Sequence, residues 1–177
     1  MLNRLIVAFL LVAATTPAVL ADATGDVKNA LTNLENVKSY HMELTSDNVT
    51  VRADVVTKPT YEIHSFSGNI ETYLVGNNMY FKTSGKWQKL SAGGLQNSLP
   101  SLEKMISSNR HTYVATDLGP RMAGGALLHA YRVHDATSKK VETVFLDAGG
   151  RIVRVETDKI VITLSQFDTP MTIRAPI

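Results

Sequence analysis

Ser39-Tyr40-His41-Met42-Glu43-Leu44-Thr45 opens the stretch that decides the fold. Tyr40, Met42 and Leu44 alternate with His41, Glu43 and Thr45, a period of two that sends successive side chains to opposite faces of a strand. The rhythm continues downstream. Val49, Val51, Ala53 and Val55 alternate with Thr50, Arg52 and Asp54; Tyr61 and Ile63 alternate with Glu62 and His64; Ile70, Thr72 and Leu74 follow, then Met79 and Phe81. Turn-forming groups separate these runs: Ser46-Asp47-Asn48, Lys58-Pro59, Ser67-Gly68-Asn69, Gly76-Asn77-Asn78 and Ser84-Gly85-Lys86. Short alternating strands with a turn about every 8–12 residues predict an antiparallel meander with one buried face.

Outside this stretch the period changes. Residues 22–38 read as a helix, with Val27, Ala30, Leu31, Leu34 and Val37 forming one apolar stripe and Thr24 or Asp26 placed to cap its start. Downstream, Ala92-Gly93-Gly94 leads into Leu95, Leu99, Leu102, Met105 and Ile106, again at helical spacing, with Pro100 inside the run. Strand patterns resume at residues 111–118, 127–134, 141–146, 152–156 and 159–167, with Gly119-Pro120, Ser138-Lys139, Ala148-Gly149-Gly150 and Thr157-Asp158 as turns, and a last extended piece spans residues 171–174. The order is helix, about six strands, helix, about five strands, an α+β chain. A sheet of about 11 antiparallel strands is too long to stay flat, because strands twist and long sheets curl. The expected architecture is a curved half-barrel with an N-terminal helix and a second helix plugging the concave face.

The first 21 residues read differently. Arg4 is followed by the uncharged run Leu5-Ile6-Val7-Ala8-Phe9-Leu10-Leu11-Val12-Ala13-Ala14, then the breaker Pro17 and the small-residue close Val19-Leu20-Ala21. That is the order of a cleavable secretory signal, cut after Ala21. An apolar core of about ten residues is too short for a spanning helix, which needs roughly 20. The domain expected to function is residues 22–177, periplasmic or secreted and soluble. Asp22 holds the place where a lipoprotein carries its lipid-bearing cysteine, and the chain has no Cys. Lipid anchoring by that route is excluded, and so are disulfides, although export permits them. A domain of this size buries about two-thirds of its unfolded surface, enough for a hydrophobic core alone.

Composition narrows the function classes. The net charge is +2, and removing Arg4 with the signal leaves +1. A nucleic-acid binder normally shows a strong basic excess, and Lys139-Lys140 is the single basic doublet. No nucleophile–base set is visible among the five histidines, His41, His64, His111, His129 and His134. Without Cys or an H-E-x-x-H run, no metal site and no cofactor are expected. Asp47, Asp54 and Asp158 are read as turn residues, and Gly93-Gly94 and Gly124-Gly125 as flexible hinges.

Three stretches carry a likeness. Asp54-Val55-Val56-Thr57-Lys58-Pro59 runs a strand into a Lys-Pro turn. Tyr73-Leu74-Val75-Gly76-Asn77-Asn78-Met79-Tyr80-Phe81 with Gly85-Lys86-Trp87 makes glycine–tyrosine–tryptophan hairpins. Leu164-Ser165-Gln166-Phe167-Asp168-Thr169-Pro170-Met171-Thr172-Ile173-Arg174-Ala175-Pro176 reads as a closing strand and extended tail. In these the chain resembles the bacterial periplasmic lipoprotein-carrier proteins and the related mycobacterial half-barrel lipoproteins that bind acylated lipids, over essentially all of residues 22–177. The resemblance implies a non-enzymatic carrier that holds an acyl chain, a lipid or an acylated lipoprotein and touches membranes transiently. It also implies an arginine on an early strand that holds a closed form, for which Arg52 is the nearest match.

The candidate site is the apolar inner face. Tyr40, Met42, Leu44, Val51, Ala53, Ile63, Leu74, Met79 and Phe81 are expected to point inward on the first half of the sheet, and Tyr131, Val133 and Phe145 on the second. Leu95, Leu99, Leu102 and Met105 would line the plug helix, which, or else the loop at residues 119–125, would move to admit the ligand. Methionines adapt to irregular apolar ligands. The alternative is an envelope protein-interaction or scaffold module with a packed core and no ligand, because every sheet needs an apolar face to make a core.

Overall fold

The computed structural model describes residues 22–92, 113–135 and 141–177. The chain begins with helix α1 (Ala23–Asn36), followed by β1 (Ser39–Ser46), β2 (Val49–Val56), β3 (Glu62–Ser67), β4 (Ile70–Val75), β5 (Asn78–Thr83) and β6 (Lys86–Ser91). The second run is β7 (Tyr113–Ala123), β8 (Ala126–Asp135), β9 (Val141–Leu146), β10 (Ile152–Glu156) and β11 (Ile160–Ser165). All eleven strands form one open sheet in the order β6-β5-β4-β3-β2-β1-β11-β10-β9-β8-β7. Every neighbour is antiparallel, and the one non-sequential contact is β1 with β11, at the centre. The second helix expected around Leu95, Leu99, Leu102 and Met105 lies outside the described residues, as does the Lys139-Lys140 turn.

The helix places the core. Ala23, Val27, Ala30, Leu31 and Leu34 are buried along one stripe. They share a single apolar cluster with Tyr40, Ala53 and Val55 on one side and Tyr131, Val133, Val144, Leu146, Ile152, Val155, Ile162 and Leu164 on the other. Tyr113 and Ala115 of β7 pack against its margin. In sheet order that cluster reaches from β2 to β7, a flat width of about 29 Å at about 4.8 Å per strand. A helix is only about 10 Å across, so a shared core requires the sheet to curl around α1, and the α1 face is the concave one.

Capping differs from the sequence reading. Asp22 caps α1, its Oδ1 accepting from Gly25 N–H at 3.0 Å. Thr24 and Asp26 instead tie the helix to the sheet: Thr24 Oγ1 accepts from Ala115 N–H at 3.1 Å, and Tyr131 Oη donates to Asp26 Oδ2 at 3.0 Å. The first of these satisfies a backbone donor on edge strand β7 that would otherwise lack a partner.

Gly119-Pro120 is not a turn, and residues 119–125 are not a loop. Both residues lie inside β7, where the register shifts between Asp117 and Gly119, a bulge with Gly119 at φ 72. Proline is tolerated there because β7 is an edge strand. The turn falls at Gly124-Gly125, with φ 58 and 80, the left-handed pair that two-residue hairpins demand. The tail after β11 forms no strand. It is anchored at the α1–β1 junction, where Lys38 N–H donates to Asp168 Oδ1 at 2.7 Å, Ser39 Oγ donates to the Thr169 carbonyl at 2.6 Å and Asp168 N–H to the Ser39 carbonyl at 2.9 Å. Among the described residues no helix is long and apolar enough to cross a membrane.

Candidate functional site

The strand register decides which side chains share the concave face. Tyr40 stands opposite Val55, Val55 opposite Ile63, Ile63 opposite Leu74, Leu74 opposite Met79 and Met79 opposite Leu90. One unbroken apolar row therefore crosses β1 to β6, about 24 Å long at the usual strand spacing. Its accessibility changes along its length. Tyr40, Val55 and Leu74 are buried, Ile63 and Met79 half-buried, and Leu90 exposed.

The next row is mixed. Met42, Ala53, Ser65, Thr72, Phe81 and Gln88 follow one another across the same six strands. Ser65 Oγ and Thr72 Oγ1 lie 2.6 Å apart and satisfy each other. The apolar row is thus bordered by self-paired hydroxyls and by half-buried Met42 and Phe81. Leu44 and Val51 form a third pair, which continues through Ser67 to Ile70.

On the other half of the sheet, Leu44 continues into Ile162, Val155, Val144 and Tyr131, all beneath α1. Tyr131 and Val133 are on the concave face, as expected. Phe145 is not. It pairs with Ala130 and Arg154, the opposite set from Tyr131 and Val144, and so faces outward. Val144, Phe145 and Leu146 are buried in succession, so the period of two that would show orientation is missing there. The sequence reading also omitted Val55 and Leu90 from the site. Val55 already stood in the alternating run of β2; Leu90 is the lone aliphatic of a polar strand and becomes visible only through its pairing with Met79.

The outer face carries most of the ion pairs. His41 Nδ1 lies 2.5 Å from Asp54 Oδ1, Arg52 Nε donates to Glu43 Oε2 at 2.8 Å, and His64 Nε2 lies 3.0 Å from Glu71 Oε1. Asp54 is thus mid-strand rather than in a turn, and Arg52 points away from the concave side, so it cannot hold a closed form there. His64 stacks on Tyr73 with centroids 3.9 Å apart, and Tyr73 meets Trp87 edge-on at 5.3 Å. The hydrogen bonds from His64 and Tyr73 lower the Glu71 pKa, while burial raises that of Tyr73. A groove of about 420 Å³ lies over His41, Arg52 and Asp54, but its charges are already paired with one another.

Beside α1, a cleft of about 370 Å³ lies between Asp26, Asn29, Asn33 and His129. His129 Nε2 is 2.7 Å from Asp117 Oδ1, whose pKa is lowered first by the Gly119 backbone N–H and then by His129. Burial and the hydrogen bond to Asp26 push Tyr131 up to about 12. Among the described residues no three His, Asp or Glu side chains are placed to hold a metal ion.

No family model matches the chain, and no curated protein matches it in sequence. Solved structures do match. The lipoprotein LppX of Mycobacterium tuberculosis superposes with a TM-score of 0.68 at 15% identity, over 86% of this chain and 98% of that one. The chain has the lipoprotein half-barrel fold. LprF of Mycobacterium bovis shares the half-barrel with a TM-score of 0.61 at 17% identity, over 87% of this chain and 96% of its own. At these identities the likeness is one of fold, and what the half-barrel does is argued from its site.

Proposed function

We propose that this protein is a soluble periplasmic carrier, released after removal of residues 1–21, that shelters an acyl chain of a lipid or acylated lipoprotein on its concave face. The observation that carries this reading is the apolar row Tyr40, Val55, Ile63, Leu74, Met79 and Leu90, which leaves the footprint of α1 and runs through half-buried Ile63 and Met79 and buried Leu74 to exposed Leu90. The row is comparable in length to an extended long acyl chain. At about 25 cal/mol per Å² of apolar surface removed from water, seating one chain along it gives useful and reversible affinity. Met42, Met79 and Phe81 adjust to chains of differing shape. Binding is non-covalent, and no chemical step is part of the reading.

Native mass spectrometry after gentle purification and titration with a fluorescent fatty acid test the proposal. The expected result is one bound acyl ligand and saturable probe binding. Placing charges in the row, Met79→Asp with Leu90→Asp, is expected to weaken probe binding by about tenfold or more, since the lost apolar contact exceeds the ~1.4 kcal/mol that a factor of ten represents. A protein that carries no lipid and takes up no probe would be the packed scaffold module instead.

A further inference from the structure

We propose that the tip of the β7–β8 hairpin docks the protein onto an anionic bilayer surface. The inference stands beside the carrier reading and does not depend on it. The hairpin outruns its neighbour: β8 pairs with β9 only from His129 to His134, whereas its pairing with β7 continues to Ala123 opposite Ala126. At this two-stranded end Met122 stands directly opposite Leu127, and each is 69% exposed. They are the most exposed large apolar side chains among the described residues. Both lie on the hairpin face that carries His129 and Tyr131, opposite the sheet face that carries Phe145 and Arg154.

Charge selects the occupant. Residues 118–128, the end of the hairpin, hold Arg121 as their single charged residue, and the nearest carboxylate on β7, Asp117, is already paired with His129 at 2.7 Å. An exposed apolar pair next to one arginine, with no carboxylate between residues 118 and 128, matches the negative surface and apolar interior of an anionic leaflet. A second copy of this chain fits worse. Two tips meeting would oppose their own arginines, and two side chains a side fall far short of the roughly 800 Å² per partner of a stable interface. Two inserted side chains with one arginine give only weak attachment, so contact and release both remain fast.

The test uses flotation with vesicles of phosphatidylcholine alone and of equimolar phosphatidylcholine and phosphatidylglycerol. Because the chain has no cysteine, Met122→Cys offers a unique site for an environment-sensitive fluorophore. The expected result is flotation with the anionic vesicles and a blue shift of the label on adding them. Met122→Asp with Leu127→Asp is expected to reduce binding about tenfold or more. Arg121→Gln should reduce it about fivefold, and on anionic vesicles alone. The fatty-acid probe, read on the same samples, should bind the tip variant as it binds the unaltered protein, which separates a failed tip from a failed groove or a misfolded chain. The proposal is overturned if the unaltered protein does not float, or if the Asp variant floats equally well. It is equally overturned if the label shifts with protein concentration without vesicles, which would make the occupant a second copy.

Discussion

The two halves of this sheet start from the same pattern and end differently. On the half from β1 through β11 to β7, alternating apolar residues meet the stripe of α1 and become core: Leu31, Val27, Val144, Ile152 and Leu164 are all fully buried. On the half from β3 to β6, equally regular alternation yields a row that is half-buried at Ile63, buried at Leu74, half-buried at Met79 and exposed at Leu90, and no described helix lies on it. Leu74 is buried, but outside the cluster that α1 organises. Alternation therefore makes a face in both halves. Among the described residues, the two halves differ in whether that face falls within the footprint of α1, a helix about 10 Å wide on a sheet several times broader.

The largest expected effect tests that distinction with one substitution made twice. Leu31→Ala removes a side chain that is 1% exposed and leaves a cavity between α1 and the sheet. Its cost should be about 3 kcal/mol, within the range for buried leucines. Leu90→Ala deletes the same atoms at the far end of the row, where the side chain is 54% exposed, and should cost about 0.5 kcal/mol or less. Urea denaturation of both variants checks the pair. Equal costs would break the comparison, because they would mean that the β6 end is as firmly packed as the helix seat.

A smaller effect comes from the hydroxyl that ties the helix seat together. Tyr131 donates to Asp26 from a nearly buried position, and Tyr131→Phe should cost about 1 kcal/mol near neutral pH. The same group gives the covered half a pH signature. Its pKa is raised from 10.0 to about 12 by burial first and Asp26 second. Between these values the unfolded chain has lost the phenolic proton while the folded chain keeps it, so stability falls as pH rises. The stabilisation is present below about pH 10 and is lost toward about pH 12. Tyr131→Phe should flatten this part of the stability–pH curve. Tyr73→Phe, on the outer face of the other half, should flatten it less, because that ring is only half-buried.

How much of this was legible in the sequence follows the same division. Period-two alternation from Tyr40 to Phe81 put Tyr40, Met42, Leu44, Val51, Ile63, Leu74, Met79 and Phe81 in one set, which the strand register also places on one face, although Tyr80 of the opposite set is buried as well. It failed at Phe145, where three consecutive residues are buried and parity carries no information. Gly119-Pro120 read as a turn because that dipeptide usually makes one, and only the pairing with β8 reveals a bulge in an edge strand. Asp22 was passed over as the cap in favour of Thr24 and Asp26, which turn out to bond to β7 and β8, partners about a hundred residues away that no local rule supplies. Leu90 joined the row through a cross-strand neighbour, information that lies in register and not in composition.

The smallest expected effect concerns the faces the two halves share. Arg52 and Glu43 form a well-aligned pair at 2.8 Å on the outer surface, with side chains 72% and 47% exposed. A double-mutant cycle of Arg52→Ala and Glu43→Ala should give a coupling of about 0.5 kcal/mol or less, falling further with added salt. Water already solvates both groups, and holding two long side chains in one geometry costs entropy that offsets the attraction. This near-zero value matters because a closed state held by an early-strand arginine requires Arg52 to leave Glu43 for the concave side. A weak pair presents no energetic obstacle to that, but the pleat does: residue 52 has the opposite parity to Val51 and Ala53, and only a one-residue slip of β2 would turn it inward. That slip would carry Val55 out of the apolar row and Asp54 into it. A coupling well above 1 kcal/mol would mean that the outer face contributes to holding the sheet, and the contrast between its halves could no longer be assigned to α1 alone.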